Sequence, residues 1–327
     1  MGSSHLYLSE WRYTMKQLDL GKSGLIAPDI GLGCMRMQDL SVADAKLVIQ
    51  TAMDSGISFF DHADIYGPHG LAEEIFGNAV RELGIPRERI LLQTKCGIQK
   101  SPDQKSLVGF NFSKEYILSC VEGSLRRLQV DYVDLLALHR PDALMEPEEV
   151  AAAFDALYTS GKVRYFGVSN QTPGQMELIQ RHTDHKLVVN QLQFSLAHTG
   201  MIDAGFNANM KTPSGVDRDG GILDYCRLHN VTIQAWSPFL IDLGAGIFLD
   251  HPKYPALNAL LDELAQKHQV SKETIAAAWI LRHPAKMQVL IGSMNPARIA
   301  NIAKASALTL SHAEWYALYQ SAGNVLP

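Results

Sequence analysis

The 327-residue chain contains no apolar stretch approaching the roughly 18 residues a membrane-spanning helix needs, so no helical span is expected. It has no surplus of positive charge. Lys and Arg number 29 against 34 Asp and Glu, a formal net of −5, which offers neither a nucleic-acid backbone nor an anionic membrane surface a complementary face. Cysteine is scarce: Cys34, Cys96, Cys120 and Cys226 form no C-x-x-C pair, and a chain this long needs no disulfide staples. They read as reduced thiols in a reducing compartment, the cytoplasm. The opening Met1-Gly2-Ser3-Ser4-His5 has neither the apolar segment nor the cleavage site of a signal peptide. Residues 1–14 read as an expression leader with Met15 as the natural start. Low-complexity linkers and internal repeats of about 20 to 50 residues are also missing, which argues for one domain over 15–327.

What the sequence does contain is alternation. Short β-branched runs at Ile30–Met35, Ser58–Ala63, Ile90–Lys95, Val133–His139, Tyr165–Ser169, Leu187–Phe194, Thr232–Phe239 and Met287–Ser293 read as strands. Amphipathic stretches lie between them, among them Val42–Ser55, Glu73–Leu83, Ser113–Leu128, Pro147–Ser160 and Tyr254–His268. Ser41 and Ser113 stand where helix N-caps belong. Eight strands mostly separated by helices predict an α/β chain folded as a single (β/α)8 TIM barrel. Gln17–Leu25 reads as an N-terminal β-hairpin closing the barrel's bottom. Ser271–His283 and Ser311–Ala322 read as extra C-terminal helices.

An open doubly wound sheet is the competing fold, and it needs a Gly-rich fingerprint after its first strand. Gly31-Leu32-Gly33 begins one but puts Arg36 at the third glycine; Gly244-Ala245-Gly246 puts Leu249 there. Both near-misses count against it.

In a parallel barrel the C-terminal strand ends converge on one face. Asp61 lies at the end of the second strand, Tyr66 five residues on, Lys95 at the end of the third and His139 at the end of the fourth. A strand-end Asp is commonly a helix cap or turn residue, a lysine there is commonly solvated, and a lone histidine is commonly a satisfied polar residue. Their joint placement on consecutive strands points to chemistry. Adding hydride to a carbonyl leaves charge on its oxygen, so an acid must supply a proton. A phenol titrates near pH 10, and a buried ammonium beside it is expected to lower that value. Lys95 is the candidate cation, Asp61 its counter-ion, and His139 a donor to the carbonyl oxygen. The hydride needs a cofactor, because no side chain carries one.

The string Phe60-Asp61-His62-Ala63-Asp64-Ile65-Tyr66-Gly67, with Thr94-Lys95 and Leu138-His139-Arg140-Pro141-Asp142, closely resembles the aldo-keto reductases, in particular their bacterial general oxidoreductases. Gly167-Val168-Ser169-Asn170, Asn190-Gln191, Ala235-Trp236-Ser237-Pro238 and Ile291-Gly292-Ser293 through Arg298 follow in the family's order. The resemblance implies a catalytic tetrad of Asp61, Tyr66, Lys95 and His139. It implies Ser169, Asn170 and Gln191 on the nicotinamide carboxamide, with Trp236 stacked on the ring. Ser237 and Leu240 resemble the pyrophosphate contacts. Ser293, Asn295 and Arg298 resemble the segment that holds an adenosine 2′-phosphate, which favours NADPH. Gly292 stands where many members carry a lysine. Asn301 lies three residues past Arg298, where the adenine-contacting asparagine is often four past, and remains a further cofactor candidate.

Loops 97–112, 195–220 and 241–254 are long enough to wall a substrate pocket, with Met35, Phe110 and Trp236 as apolar lining. An open pocket for small aldehydes, ketones or quinone-like carbonyls is expected, in a monomer or weak homo-oligomer. His62 and Asp64 share a strand face but lack a third ligand, so no metal is assigned. Two other readings stand beside the reductase: a non-catalytic NADP-binding regulatory subunit of the same fold, and a barrel aldolase or isomerase with Lys95 as Schiff base.

Overall fold

A computed structural model of the chain describes residues 15–242 and 244–327; the leader expected at 1–14 lies outside them. Strands β1 (Gln17–Leu20) and β2 (Leu25–Pro28) pair antiparallel as the N-terminal hairpin. Then β3 (Ile30–Gly33), α1 (Val42–Asp54), β4 (Phe59–Asp61), α2 (Leu71–Leu83) and β5 (Leu91–Cys96) begin the alternation. A second hairpin, β6 (Ile98–Lys100) and β7 (Leu107–Phe110), precedes α3 (Lys114–Leu128). The order continues with β8 (Val133–Leu138), α4 (Pro147–Thr159), β9 (Val163–Ser169), α5 (Pro173–Gln180) and β10 (Leu187–Gln193). Two short helices, α6 (Gly200–Phe206) and α7 (Ile222–Leu228), lead to β11 (Thr232–Trp236). A third hairpin, β12 (Leu240–Asp242) with β13 (Gly246–Ile247), is followed by α8 (Pro255–His268) and α9 (Lys272–Leu281). The chain ends with β14 (Gln288–Ile291), α10 (Pro296–Ala303) and α11 (His312–Ser321).

Strands β3, β4, β5, β8, β9, β10, β11 and β14 pair in that order, all parallel, and Val289 opposite Ile30 joins the last to the first. This closed barrel with an N-terminal hairpin and additional C-terminal helices is the expected TIM architecture, and all eight predicted strands fall on barrel strands. Several helices begin at a residue whose side chain caps them: Ser41 and Ser113 accept from the amides of Asp44 and Tyr116. Thr172 and Ser311 each form a reciprocal capping box, with Gln175 and Glu314.

The hairpin earns its place by burial. Leu20, Leu25 and Ala27 pack on Phe59, Leu135, Ala137, Val189 and Leu290, the lower interior of the barrel, and the Gly21 amide donates to Thr232 Oγ1 at 2.8 Å. Truncating the fully buried Leu20 to Ala would cost about 2–5 kcal/mol. At the other end of the chain, Trp279 and Trp315 stack at 4.9 Å, each indole N–H donating to the other residue's carbonyl. That double bond fixes α11 to α9.

Candidate active site

The barrel interior is polar near its mouth. Registered pairing sets Asp61 beside Gln93, and Gln191 beside Gln234 beside Gln288. Their side chains connect into one buried network. Gln93 Nε2 donates to Asp61 at 2.6 Å and Gln191 Nε2 to Asp61 at 3.2 Å. Gln191 also donates to Gln234, which donates to both Gln93 and Gln288. Gln288 closes the chain on the Pro28 carbonyl at 2.7 Å. Donors therefore fix the Asp61 carboxylate from below, satisfying groups that would be costly to bury alone.

Lys95 stands two residues above Gln93 on the same face of β5 and is fully buried. Its ammonium donates to the Asp61 carboxylate (2.8 Å), the His62 carbonyl (2.8 Å) and the Tyr66 hydroxyl (3.1 Å). An ammonium has three donors and no acceptor, so all three are spent and the Tyr66 oxygen can only accept from it. The phenolic proton must then point elsewhere.

The electrostatics correct one expectation. Burial pushes the Tyr66 phenol above its ordinary value; Lys95 pulls it down without overcoming burial, and Asp61 adds to the rise. Lys95 itself is held above the usual lysine value, because burial is outweighed by Asp61 and Tyr66. The pair at rest is a neutral phenol beside a charged ammonium. The cation does not pre-ionise the phenol.

His139 follows β8, its ring 6.0 Å from that of Tyr66 and nearly perpendicular to it. Burial, with Lys95 and Arg140 nearby, holds the imidazole well below the usual histidine range, so it is neutral. Its Nδ1 is buried without a partner, which leaves Nε2 as the natural place for the single proton. His62, also buried, is pushed down to about 3 by burial and Lys95, and both its ring nitrogens are unpartnered. Among the described residues no group of three or more metal-binding side chains occurs. Cys34 and Cys96 are buried with their thiols pushed well up, unsuited to nucleophilic or redox chemistry.

The other sequence-derived residues fall into two groups. Ser169, Asn170, Gln191 and Trp236 come together at the mouth. Asn170 Nδ2 donates to Ser169 Oγ at 2.7 Å, Ser169 Oγ donates to the Gln191 carbonyl at 3.0 Å, and the Trp236 indole donates to Asn170 Oδ1 at 3.3 Å. Asn170 (φ 58°) and Ser237 (φ 50°), one residue past β9 and β11, hold left-handed backbone that non-glycine residues enter at a cost. The second group lies around α10. Asn295 caps the helix by accepting from the Arg298 amide, and Ser293 Oγ accepts from the Asn295 amide. Arg298 is 51% exposed with Glu273 at 3.4 Å. Asn301 accepts from Lys304 at 3.0 Å. Leu240 closes a turn on the Ser237 carbonyl.

A cavity of about 760 Å³ opens at the strand ends, walled by Asn170, Trp236, Gln193, Leu192 and Met201; Arg140, the neighbour of His139, lines it, whereas Asp61, Tyr66, Lys95 and His139 do not. Met35 and Phe110, expected to line the pocket, are exposed by 49% and 38% and are not part of that wall. The glutamine network was not anticipated. Its members sit on five strands spread over 230 residues, and only the closed register brings them together.

Residues 29–322 match the sequence profile of the Aldo/keto reductase family. The chain is 36% identical to the uncharacterized oxidoreductase YcsN of Bacillus subtilis, over 88% of this chain and 91% of that one. It is 34% identical to a 6-dehydroglucose reductase of Agrobacterium fabrum, over 86% and 88%. The crystal structure of an aldo/keto reductase from Brucella melitensis superposes with a TM-score of 0.69 at 25% identity, covering 94% of this chain and all of that one. With a closed eight-stranded barrel and a hydrogen-bonded Asp–Lys–Tyr cluster at its mouth, this chain is an oxidoreductase belonging to the aldo/keto reductase family.

Proposed function

We propose that the chain is an NADPH-dependent carbonyl reductase in which Tyr66 is the general acid. One observation carries the reading: the ammonium of Lys95 spends every N–H on Asp61, the His62 carbonyl and the Tyr66 oxygen, so the Tyr66 proton is free for a substrate.

Polar groups suited to a carboxamide, a half-buried indole and two strained residues gather where the barrel strands end, which fits a nicotinamide. When bound, NADPH supplies the hydride for the carbonyl carbon. Tyr66 gives its proton to the carbonyl oxygen, and His139, neutral and protonated on Nε2, donates a hydrogen bond to the same oxygen. A raised phenol value suits this order of events. An alkoxide is a far stronger base than phenolate, so Tyr66 need not be acidic at rest. Lys95 acts after transfer, stabilising the new phenolate in a site where Asp61 has kept the lysine charged. That is stabilisation realised mainly as the reaction proceeds, the kind that lowers a barrier.

Ser169, Asn170, Gln191 and Trp236 are proposed to hold the nicotinamide, Ser237 and Leu240 the pyrophosphate, and Ser293, Asn295, Arg298 and Asn301 the adenosine end. The preference for NADPH rests on Arg298 beside the N-terminus of α10. A Schiff-base role for Lys95 is disfavoured by the charge that makes it a poor nucleophile. Borohydride in the presence of carbonyl compounds should therefore leave Lys95 unmodified. The deciding experiment is NADPH oxidation at saturating cofactor across small aldehydes, ketones and quinones. Turnover is expected on several; tight NADPH binding without turnover on any would favour the regulatory-subunit reading.

A further inference from the structure

One residue beyond His139 is a cation that no acidic group among the described residues pairs with. Arg140 is half-buried in the wall of the 760 Å³ cavity, its Cζ 5.7 Å from the centroid of the Trp236 ring. Burial pushes the guanidinium down from its usual range, and the phenol of Tyr66 opposes that shift; no carboxylate does. Among the described residues it forms no ion pair, and none of its five N–H groups has an acceptor. A guanidinium stays charged regardless, and since its nitrogens are not among the buried unpartnered atoms, they remain open to an incoming anion from the cavity.

The other charges of the cavity do not serve it. Asp203 accepts from the Tyr319 hydroxyl at 2.7 Å and from Thr199 at 3.0 Å. Asp219 accepts from the amides of Gly221 and Ile222 at 3.1 and 3.2 Å. His198 is held below its ordinary value by burial and is neutral. Arg218, on the exposed rim, adds a second positive charge. Gln171 and Gln193, in the same wall, each keep a buried amide nitrogen with no acceptor. The cavity that Arg140 shares, one residue along the chain from His139, thus has unpaired donors, while its acids are already occupied.

We propose that Arg140 anchors a carboxylate on the substrate, so that the preferred carbonyl compounds are short oxo-acids. This deepens the reductase reading and rests on it. The flat fork of a guanidinium matches a carboxylate with two parallel hydrogen bonds, which a neutral aldehyde cannot supply. A sulfonate or phosphate can offer the fork two oxygens as well, but it brings a third into a wall that also holds Asp203 and Asp219, so it should bind less well.

Two measurements test the anchor. In the first, kcat/KM at saturating NADPH is compared for succinic semialdehyde and its neutral amide. The acid should be favoured by at least about tenfold, chiefly through KM, and Arg140→Gln should bring the ratio to within about twofold of unity. Arg218→Gln should keep most of the preference; an equal loss there would overturn the assignment to Arg140. The second needs no turnover. Succinate, ethane disulfonate and inorganic phosphate are titrated calorimetrically into the protein loaded with NADP, so that the cofactor's own phosphates are already in place. Succinate should bind most tightly and lose at least about tenfold in affinity in Arg140→Gln. Indifference of succinate to Arg140→Gln, or tighter binding of phosphate, would overturn the proposal. Succinate binding that depends on Arg140 in a protein that reduces neither aldehyde would leave the anchor standing and count against carbonyl reduction instead.

Discussion

Replacing Asp61 with Asn separates charge from shape at the centre of the site. The amide keeps the size of the carboxyl group and an oxygen for Lys95, but removes the counter-ion 2.8 Å from the ammonium. At an effective dielectric of about 20, two unit charges at that distance attract by about 6 kcal/mol. Lys95 is fully buried, and it is held above the ordinary lysine value only because Asp61 and Tyr66 outweigh burial. With Asp61 neutral, burial prevails and the lysine loses its proton at a lower pH. A neutral amine accepts, so Tyr66 would then donate to Lys95 and not to a carbonyl. The Asp61→Asn enzyme should therefore acquire a limb of kcat that falls as pH rises, at a lower pH than any such limb of the wild type, reaching about 10²–10⁴-fold below wild type at its alkaline end. The wild type should be flat over the range in which the variant falls. Its own Lys95 stabilises the fold below the ordinary lysine value, and that contribution is lost only as pH climbs through the higher folded value, well above neutrality. Breaking a buried pair costs about 3–5 kcal/mol of stability, so circular dichroism must first establish that the variant is folded. A kcat that is lowered equally at every pH would refute the reasoning, since it would make Asp61 a shape-filler.

Arg298→Ala should weaken NADPH by about tenfold while moving NADH little, read as Kd for each cofactor; equal losses would remove the 2′-phosphate contact. Gly77→Ala would put a Cβ 2.5 Å from the Arg127 carbonyl and 2.8 Å from that of Leu128, where α2 meets α3. It should lower stability by about 1–3 kcal/mol in denaturant melts without changing KM. Asp64 has a buried carboxyl oxygen with no partner and is pushed up to about 7 by burial and Glu73, against Cys120, Arg127 and Lys95. An acid raised in the folded state destabilises increasingly as pH rises from its ordinary value toward the folded one. Asp64→Asn should accordingly gain Tm over wild type at pH 8 and show little gain near pH 4. A pH-independent difference would contradict the raised value.

The barrel was legible because its local signals agree with its packing: strand runs alternating with amphipathic stretches, Ser41 and Ser113 as caps, and a hairpin before β3. That Asp61, Lys95 and His139 would come together was legible because strand ends of a parallel barrel must meet. What escaped depended on register or on energetic balance. The hairpin of β6 and β7 carries Leu107 and Val108 exposed to solvent, so its residues do not alternate as a half-buried strand would. Helices α5, α6 and α7 are only seven or eight residues long, too short for a clear helical period. Gln93, Gln234 and Gln288 look like unremarkable strand polars until closure aligns them. The direction of the Tyr66 shift could not be read from neighbours alone, because burial opposes Lys95 and wins.

The most direct measurement is the single-turnover rate of carbonyl reduction by Tyr66→Phe with NADPH prebound. Removing the hydroxyl leaves Lys95 held by Asp61 and the His62 carbonyl, so fold and NADPH affinity should persist. The hydride-transfer step should slow by at least about 10²-fold. A rate within a few-fold of wild type, with the cofactor still bound, would contradict the account at its centre.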